Sequence, residues 1–163
     1  MIAFVGAGPG AEDLITVRGQ RYLKEADVII YAGSLVNPRL LDVKKEGCEV
    51  YNSAYMTLEE VMEVMIAGER AGKKVVRLHT GDPCLYGAIR EQMDLLDKEQ
   101  IAYEDCPGVS SFCGAAAALK AEYTVGRDHE NGWQDAGAGA GIHPQLCAAS
   151  GDDGCFFEHG NAR

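Results

Sequence analysis

The chain has 163 residues, 47% apolar and 25% charged, which is the composition of a globular protein with enough apolar material for one domain or one and a half small ones. Fifteen basic against 25 acidic side chains give a net charge of −10, which argues against broad electrostatic binding to nucleic acid or to an anionic membrane. An anionic small molecule in a local basic pocket stays open. No run of 18 apolar residues is present and MIAFVGAGPG carries no basic n-region, so neither a transmembrane helix nor a signal peptide is expected. The six cysteines, at 48, 84, 106, 113, 147 and 155, form no C-x-x-C pair and read as reduced thiols of a cytoplasmic protein, the first four as small buried hydrophobes.

In chain order, residues 2–5 are a short apolar run stopped by glycine and predict a buried strand. Residues 14–25 are spaced for a helix. Residues 28–31 and 48–51 predict the second and third strands. Residues 57–71 predict a helix, with Thr57 and Glu60 placed as a capping box and Gly72 suited to the stop. A fourth strand is expected over 75–78, a helix over 89–97, a fifth strand beginning at 101–103 and an alanine-rich helix within 109–120. This alternation predicts an α/β fold: a five-stranded, mainly parallel sheet with helices on both faces. In such sheets ligands bind at the carboxyl ends of the strands.

Three loops at such ends carry the candidate chemistry. Gly6-Ala7-Gly8-Pro9-Gly10-Ala11 fits G-x-G-x-x-A, the pattern of a dinucleotide site. Pro9, however, removes an N–H that a pyrophosphate would use, and the second strand ends in Ala32-Gly33 with no acid for a ribose. A tight strand-to-helix turn accounts for the glycines equally well. The second loop is His79-Thr80-Gly81-Asp82-Pro83-Cys84-Leu85-Tyr86-Gly87, and the third is Cys106-Pro107-Gly108-Val109-Ser110-Ser111-Phe112. Taken singly, Thr80, Asp82, Ser110 and Ser111 are as well explained as helix caps.

GAGPG, ADVIIYAGSLV, HTGDPCLYGAI and PGVSSFCGAAAAL, in this order and at these spacings, resemble the tetrapyrrole (corrin/porphyrin) methyltransferase family. YAGSLV, YGAI-x-EQM and SSF-x-x-AAAAL point to its branch acting on carbon 11 of precorrin-4 or cobalt-precorrin-4. The resemblance spans residues 1–124, expected to form the family's N-terminal domain. It implies methyl transfer from S-adenosylmethionine, with no metal, in a cleft between two α/β domains of a homodimer. It further implies that Pro9 lines that cleft, that Thr80, Gly81, Asp82 and Leu85 lie against the cofactor, and that Ser110 and Ser111 contact it. Gly33 departs from this branch, which usually has Asp in the YADSLV stretch.

Transfer of an activated methyl group needs orientation and a dry cleft rather than a nucleophilic Ser or Cys, and no such constellation is present. The proton displaced at carbon leaves three neighbours in sequence, His79, Asp82 and Tyr86, among which the residues do not choose; no catalytic residue is assigned. Arg18, Arg21, Lys24 or Arg39 are candidates for the substrate's carboxylates, each equally a solvated face. Residues 126–163 differ: these 38 positions hold 8 of the 20 glycines, one Ile, one Leu and no Val or Met. The segment 125–163 is therefore expected to be an irregular, disordered tail without function. Its abrupt onset, and codons that permit Met-Met from Asp152-Asp153-Gly154 one nucleotide later, suggest a frameshifted translation. His143, Cys147, Cys155 and His159 lack a zinc-site spacing. Two functions follow: a corrinoid methyltransferase, or the cofactor half of one, weakly active or inactive alone; or a non-catalytic product of a damaged gene. Another branch of the tetrapyrrole methyltransferases stays open as a variant of the first.

Overall fold

The apolar runs at 2–5, 28–31 and 75–78 become central strands buried on both faces, because alternate side chains meet different layers, whereas the edge strands over 49–52 and 103–106 are largely exposed. A computed structural model describes residues 1–123. The strands are β1 (Ile2–Gly6), β2 (Val28–Tyr31), β3 (Glu49–Asn52), β4 (Val75–His79) and β5 (Tyr103–Cys106). All four pairings are parallel, in the order β3-β2-β4-β1-β5. The helices are α1 (Val17–Glu25), α2 (Leu58–Arg70), α3 (Arg90–Lys98) and α4 (Ser111–Leu119). The expected tail and the His143, Cys147, Cys155 and His159 set lie outside the described residues.

The compact unit Met1–Ser111 carries the sheet. On one face Ala3, Val5, Ile29, Val76 and Leu78 pack with Leu23 of α1 and with Leu40 of a 3-10 turn over Pro38–Val43. On the other, Ile2, Phe4, Val28, Ile30 and Val75 pack with Val61, Met62 and Met65 of α2 and Leu96 of α3. Each such large side chain contributes roughly 1.5–3 kcal/mol on burial. A second unit begins at Phe112; within it the Tyr123 hydroxyl donates to the Phe112 carbonyl, and the two rings meet edge-on.

Caps decide the boundaries. The Thr57 side chain accepts from the Glu60 amide while the Glu60 carboxylate accepts from the Thr57 amide, so α2 starts with the expected capping box. Gly72, at φ 72°, ends it. α1 begins at Val17, not at 14, because extended Thr16 caps it by accepting from the Gly19 amide; a 3-10 turn over Glu12–Leu14 precedes it. β5 starts at Tyr103, not 101. The Ile101 amide is still bonded to the Leu96 carbonyl, with Gln100 left-handed, as the chain closes off α3. The cysteine expectation is corrected: Cys106 is buried and Cys48 half-buried, but Cys84 and Cys113 are exposed, Cys84 because it sits in the loop after β4 rather than on a strand.

The path of the chain opens the site. β1 leaves toward α1 on the first face, whereas its neighbour β4 leaves toward α3 on the second. Adjacent parallel strands whose connections depart to opposite faces create the crevice where α/β sheets bind ligands. No described helix is long and apolar enough to cross a membrane.

Candidate functional site

The three glycine-bearing loops meet at this crevice. The Ala7 amide donates to the His79 carbonyl at 2.7 Å, and Gly8 and Gly81 exchange both main-chain hydrogen bonds, at 3.2 and 2.9 Å. A Cβ on Gly6 would lie 2.5 Å from the Gly108 Cα and 2.6 Å from the Gly81 carbonyl oxygen; one on Gly108 would overlap that same oxygen. These glycines are required by loop-on-loop contact. Gly81, at φ 62°, packs against the main chain of Ser110 and Ser111. Pro9, Thr80, Gly81, Asp82 and Ser110 thus sit on loops held against one another at one sheet edge, with Ser110 buried, and Ser111, exposed, opens α4 beside them.

Asp82 ties the loops. Its Oδ1 accepts from the Cys84 amide at 2.8 Å, an Asx turn in the extended backbone that Pro83 imposes, and its Oδ2 accepts from the Gly108 amide at 2.9 Å. Both carboxylate oxygens therefore serve the protein's own main chain. The Cys84 thiol donates to Asp105, and that hydrogen bond, with burial and the Asp105 and Asp82 charges, pushes its pKa up to about 11. Leu85, on the same loop, is partly exposed, and Tyr86 is 75% exposed.

His79 is placed away from the edge. It ends β4 on the α2 and α3 side, beside the Phe4 ring, and is 4% exposed. Burial, assisted by the Arg77 guanidinium, lowers its pKa to about 3, and its Nε2 has no hydrogen-bond partner among the described residues. It is a neutral buried imidazole, not a group that meets ligand at the loops. Of the three neighbours of the displaced proton, Tyr86 alone is well exposed.

Among the basic candidates, Arg39 pairs with Glu12 at 3.3 Å, and neighbouring Asn37 donates to the Gly10 carbonyl at 2.7 Å, steadying the first loop. α1 runs from the carboxyl edge to the opposite one, so Lys24 stands about 9 Å farther along its axis than Arg18 and lies at the wrong end of the sheet. Gly33 is buried at φ 64°, and a Cβ there would lie 3.0 Å from that of Ala54, so an aspartate would meet both strain and contact.

Asn37 and the buried pair Arg77 and Gln92 were not singled out by sequence, and the loop-on-loop contacts that Gly6 and Gly108 make were not foreseen. Arg77 had a visible signal, a charge inside the apolar run VVRLH. The other contacts depend on strand order, which sequence does not display.

Residues 1–136 match the family model for Tetrapyrrole (Corrin/Porphyrin) Methylases. A cobalt-precorrin-4 C(11)-methyltransferase of Methanocaldococcus jannaschii is 57% identical over 124 residues, 76% of this chain and 48% of that protein. The X-ray structure of a cobalamin biosynthetic enzyme, cobalt precorrin-4 methyltransferase, superposes with TM-score 0.74 at 51% identity, over 77% of this chain and 52% of that one. A uroporphyrin-III C-methyl transferase from Thermus thermophilus, complexed with S-adenyl homocysteine, superposes at TM-score 0.61 and 34% identity, over 71% of this chain and 47% of that one. The chain spans about half the length of the relatives it matches.

Proposed function

From the premise that this chain belongs to the tetrapyrrole (corrin/porphyrin) methylase family, we propose that it serves S-adenosylmethionine-dependent methylation of carbon 11 of precorrin-4 or cobalt-precorrin-4, in cobalamin biosynthesis. The observation that carries the reading is the convergence of the loops bearing Pro9, Thr80–Asp82 and Ser110–Ser111 at the β1 and β4 crevice. A relative with the same fold was solved with S-adenyl homocysteine. Its setting is the cytoplasm, and its assembly, by family likeness, a homodimer.

The residues suit the cofactor. Pro9 and Leu85 offer apolar surface; Thr80, Ser110 and Ser111 offer hydroxyls that donate or accept. The Gly81 amide and carbonyl are already bonded to Gly8, so Gly81 contributes close approach rather than a donor. Asp82 acts through the loops it ties. When bound, S-adenosylmethionine supplies a sulfonium methyl activated for in-line transfer to carbon. The work of this chain is to orient it and to keep water away.

The converging loops supply a cofactor wall, and cofactor binding is the part of the reading they carry. Calorimetric titration of the chain with S-adenosylmethionine tests this. Saturable, one-to-one binding is expected. Absence of any binding at millimolar cofactor would refute the assignment of the loops.

A further inference from the structure

The loop after β4 is strained, and a buried polar chain holds the strain. Four described non-glycine residues have positive φ: Tyr86 (58°), Ala88 (48°), Gln100 (57°) and Lys120 (51°). Gln100 and Lys120 are each the left-handed residue that closes a helix, with the following amide bonded back to Leu96 or Ala116. Tyr86 and Ala88 close no helix. They flank Gly87, where a Cβ would overlap the Pro83 carbonyl, so the turn is wound tightly on itself. Non-glycine residues held left-handed persist only where their surroundings over-determine them, and such sites favour function.

Those surroundings are identifiable. Arg77 is 7% exposed, and burial lowers its pKa to about 10, so it is charged at neutral pH. Among the described residues no carboxylate pairs with it; its Nη1 donates to the Ile30 carbonyl at 3.2 Å and its Nε to the Gln92 Oε1 at 3.3 Å. A guanidinium only donates, so Gln92 must turn its oxygen toward Arg77 and its amino group the other way. There the Gln92 Nε2 donates to the Ala88 carbonyl at 3.2 Å. The buried charge fixes the orientation of an amide, and the amide holds the carbonyl of a strained residue.

We propose that Arg77 and Gln92 are positioning residues that hold the left-handed Tyr86–Ala88 turn and so set how Leu85 and Tyr86 are presented to the ligands. The functional part of this rests on the cofactor reading above; the structural part does not. Gln92→Glu separates the two ends of the relay. A glutamate still accepts from Arg77, now as an ion pair, but it cannot donate to Ala88.

Hydrogen exchange, thermal unfolding and S-adenosylmethionine titration are measured on the full chain and its variants. Gln92→Glu is expected to keep or raise the unfolding midpoint, to speed amide exchange over residues 85–88 at least tenfold and to weaken cofactor binding at least fivefold. Adding Ala88→Gly, which makes the left-handed position easy, is expected to restore binding to within twofold. Ala88→Gly alone is expected to raise the midpoint. Unchanged exchange in Gln92→Glu, a Gln92→Glu chain that does not fold, or an Ala88→Gly midpoint at or below wild type overturns the proposal. If the wild-type chain binds no cofactor, the cofactor reading fails while exchange and midpoints still decide the relay.

Discussion

Asp82→Ala separates two accounts of the loop carboxylate, one in which it touches the cofactor and one in which it builds the site. It accepts two main-chain hydrogen bonds, from Cys84 at 2.8 Å and Gly108 at 2.9 Å. A hydrogen bond to a charged group contributes about 1.5–3 kcal/mol. Asp82 is half-buried and water can reach the freed amides, so the lower end applies and the loss is about 2–4 kcal/mol. For a unit of this size that lowers the unfolding midpoint by about 8–15 °C. Asp82→Asn keeps one acceptor and sets an amino group against the other amide, for about half the effect. Circular dichroism melts of the ligand-free chain read the midpoint, and cofactor titration at low temperature reads affinity. If Asp82→Ala melts within 2 °C of wild type yet loses cofactor affinity tenfold, the carboxylate is a ligand contact and the loop-tie reasoning is wrong.

His79 makes stability depend on pH. Its folded pKa of about 3 lies below the unfolded value near 6.5, so its contribution is complete above pH 6.5 and is lost as pH falls toward 3. Relative to His79→Phe, wild type is expected to lose about 2–3 kcal/mol between pH 6.5 and 4.5; denaturant curves that stay parallel across that range contradict it. Gly108→Ala, whose Cβ would overlap the Gly81 carbonyl, should cost about 2–4 kcal/mol and abolish cofactor binding, measured by urea unfolding and calorimetry. Thr57→Ala removes the α2 capping box and should cost about 1 kcal/mol by urea unfolding, with cofactor affinity unchanged.

The fold was readable because the three central strands are compact apolar runs and α2 carries its own punctuation. The run 28–31 and the Thr57 and Glu60 box are local signals, and the structure keeps them. Boundaries shifted where a neighbouring element competed: Ile101 looks like strand but spends its amide on α3, and Thr16 looks helical but serves as the cap of α1. That the three loops share one edge follows from a parallel sheet. Their contact does not, because the order β3-β2-β4-β1-β5 places Gly6, Gly81 and Gly108 side by side although their strands are far apart in the chain. Asp82 was placed against the cofactor only by the family resemblance, the residue itself reading equally as a helix cap. Its partners, an amide two residues on and another 26 residues away, are properties of the folded chain. His79 was ambiguous for a similar reason: it ends a strand, and the alternation of that strand turns its ring under the sheet.

The central claim is that the three joined loops form the cofactor site. Amide chemical-shift mapping of the isotope-labelled chain during titration with S-adenosylmethionine tests it most directly. The account predicts saturable shifts concentrated at Gly8, Gly10, Thr80–Leu85 and Gly108–Ser111, with the amino-terminal edge around Asp27, Glu49 and Lys74 unmoved. Shifts centred on that opposite edge, or none at millimolar cofactor, would contradict it.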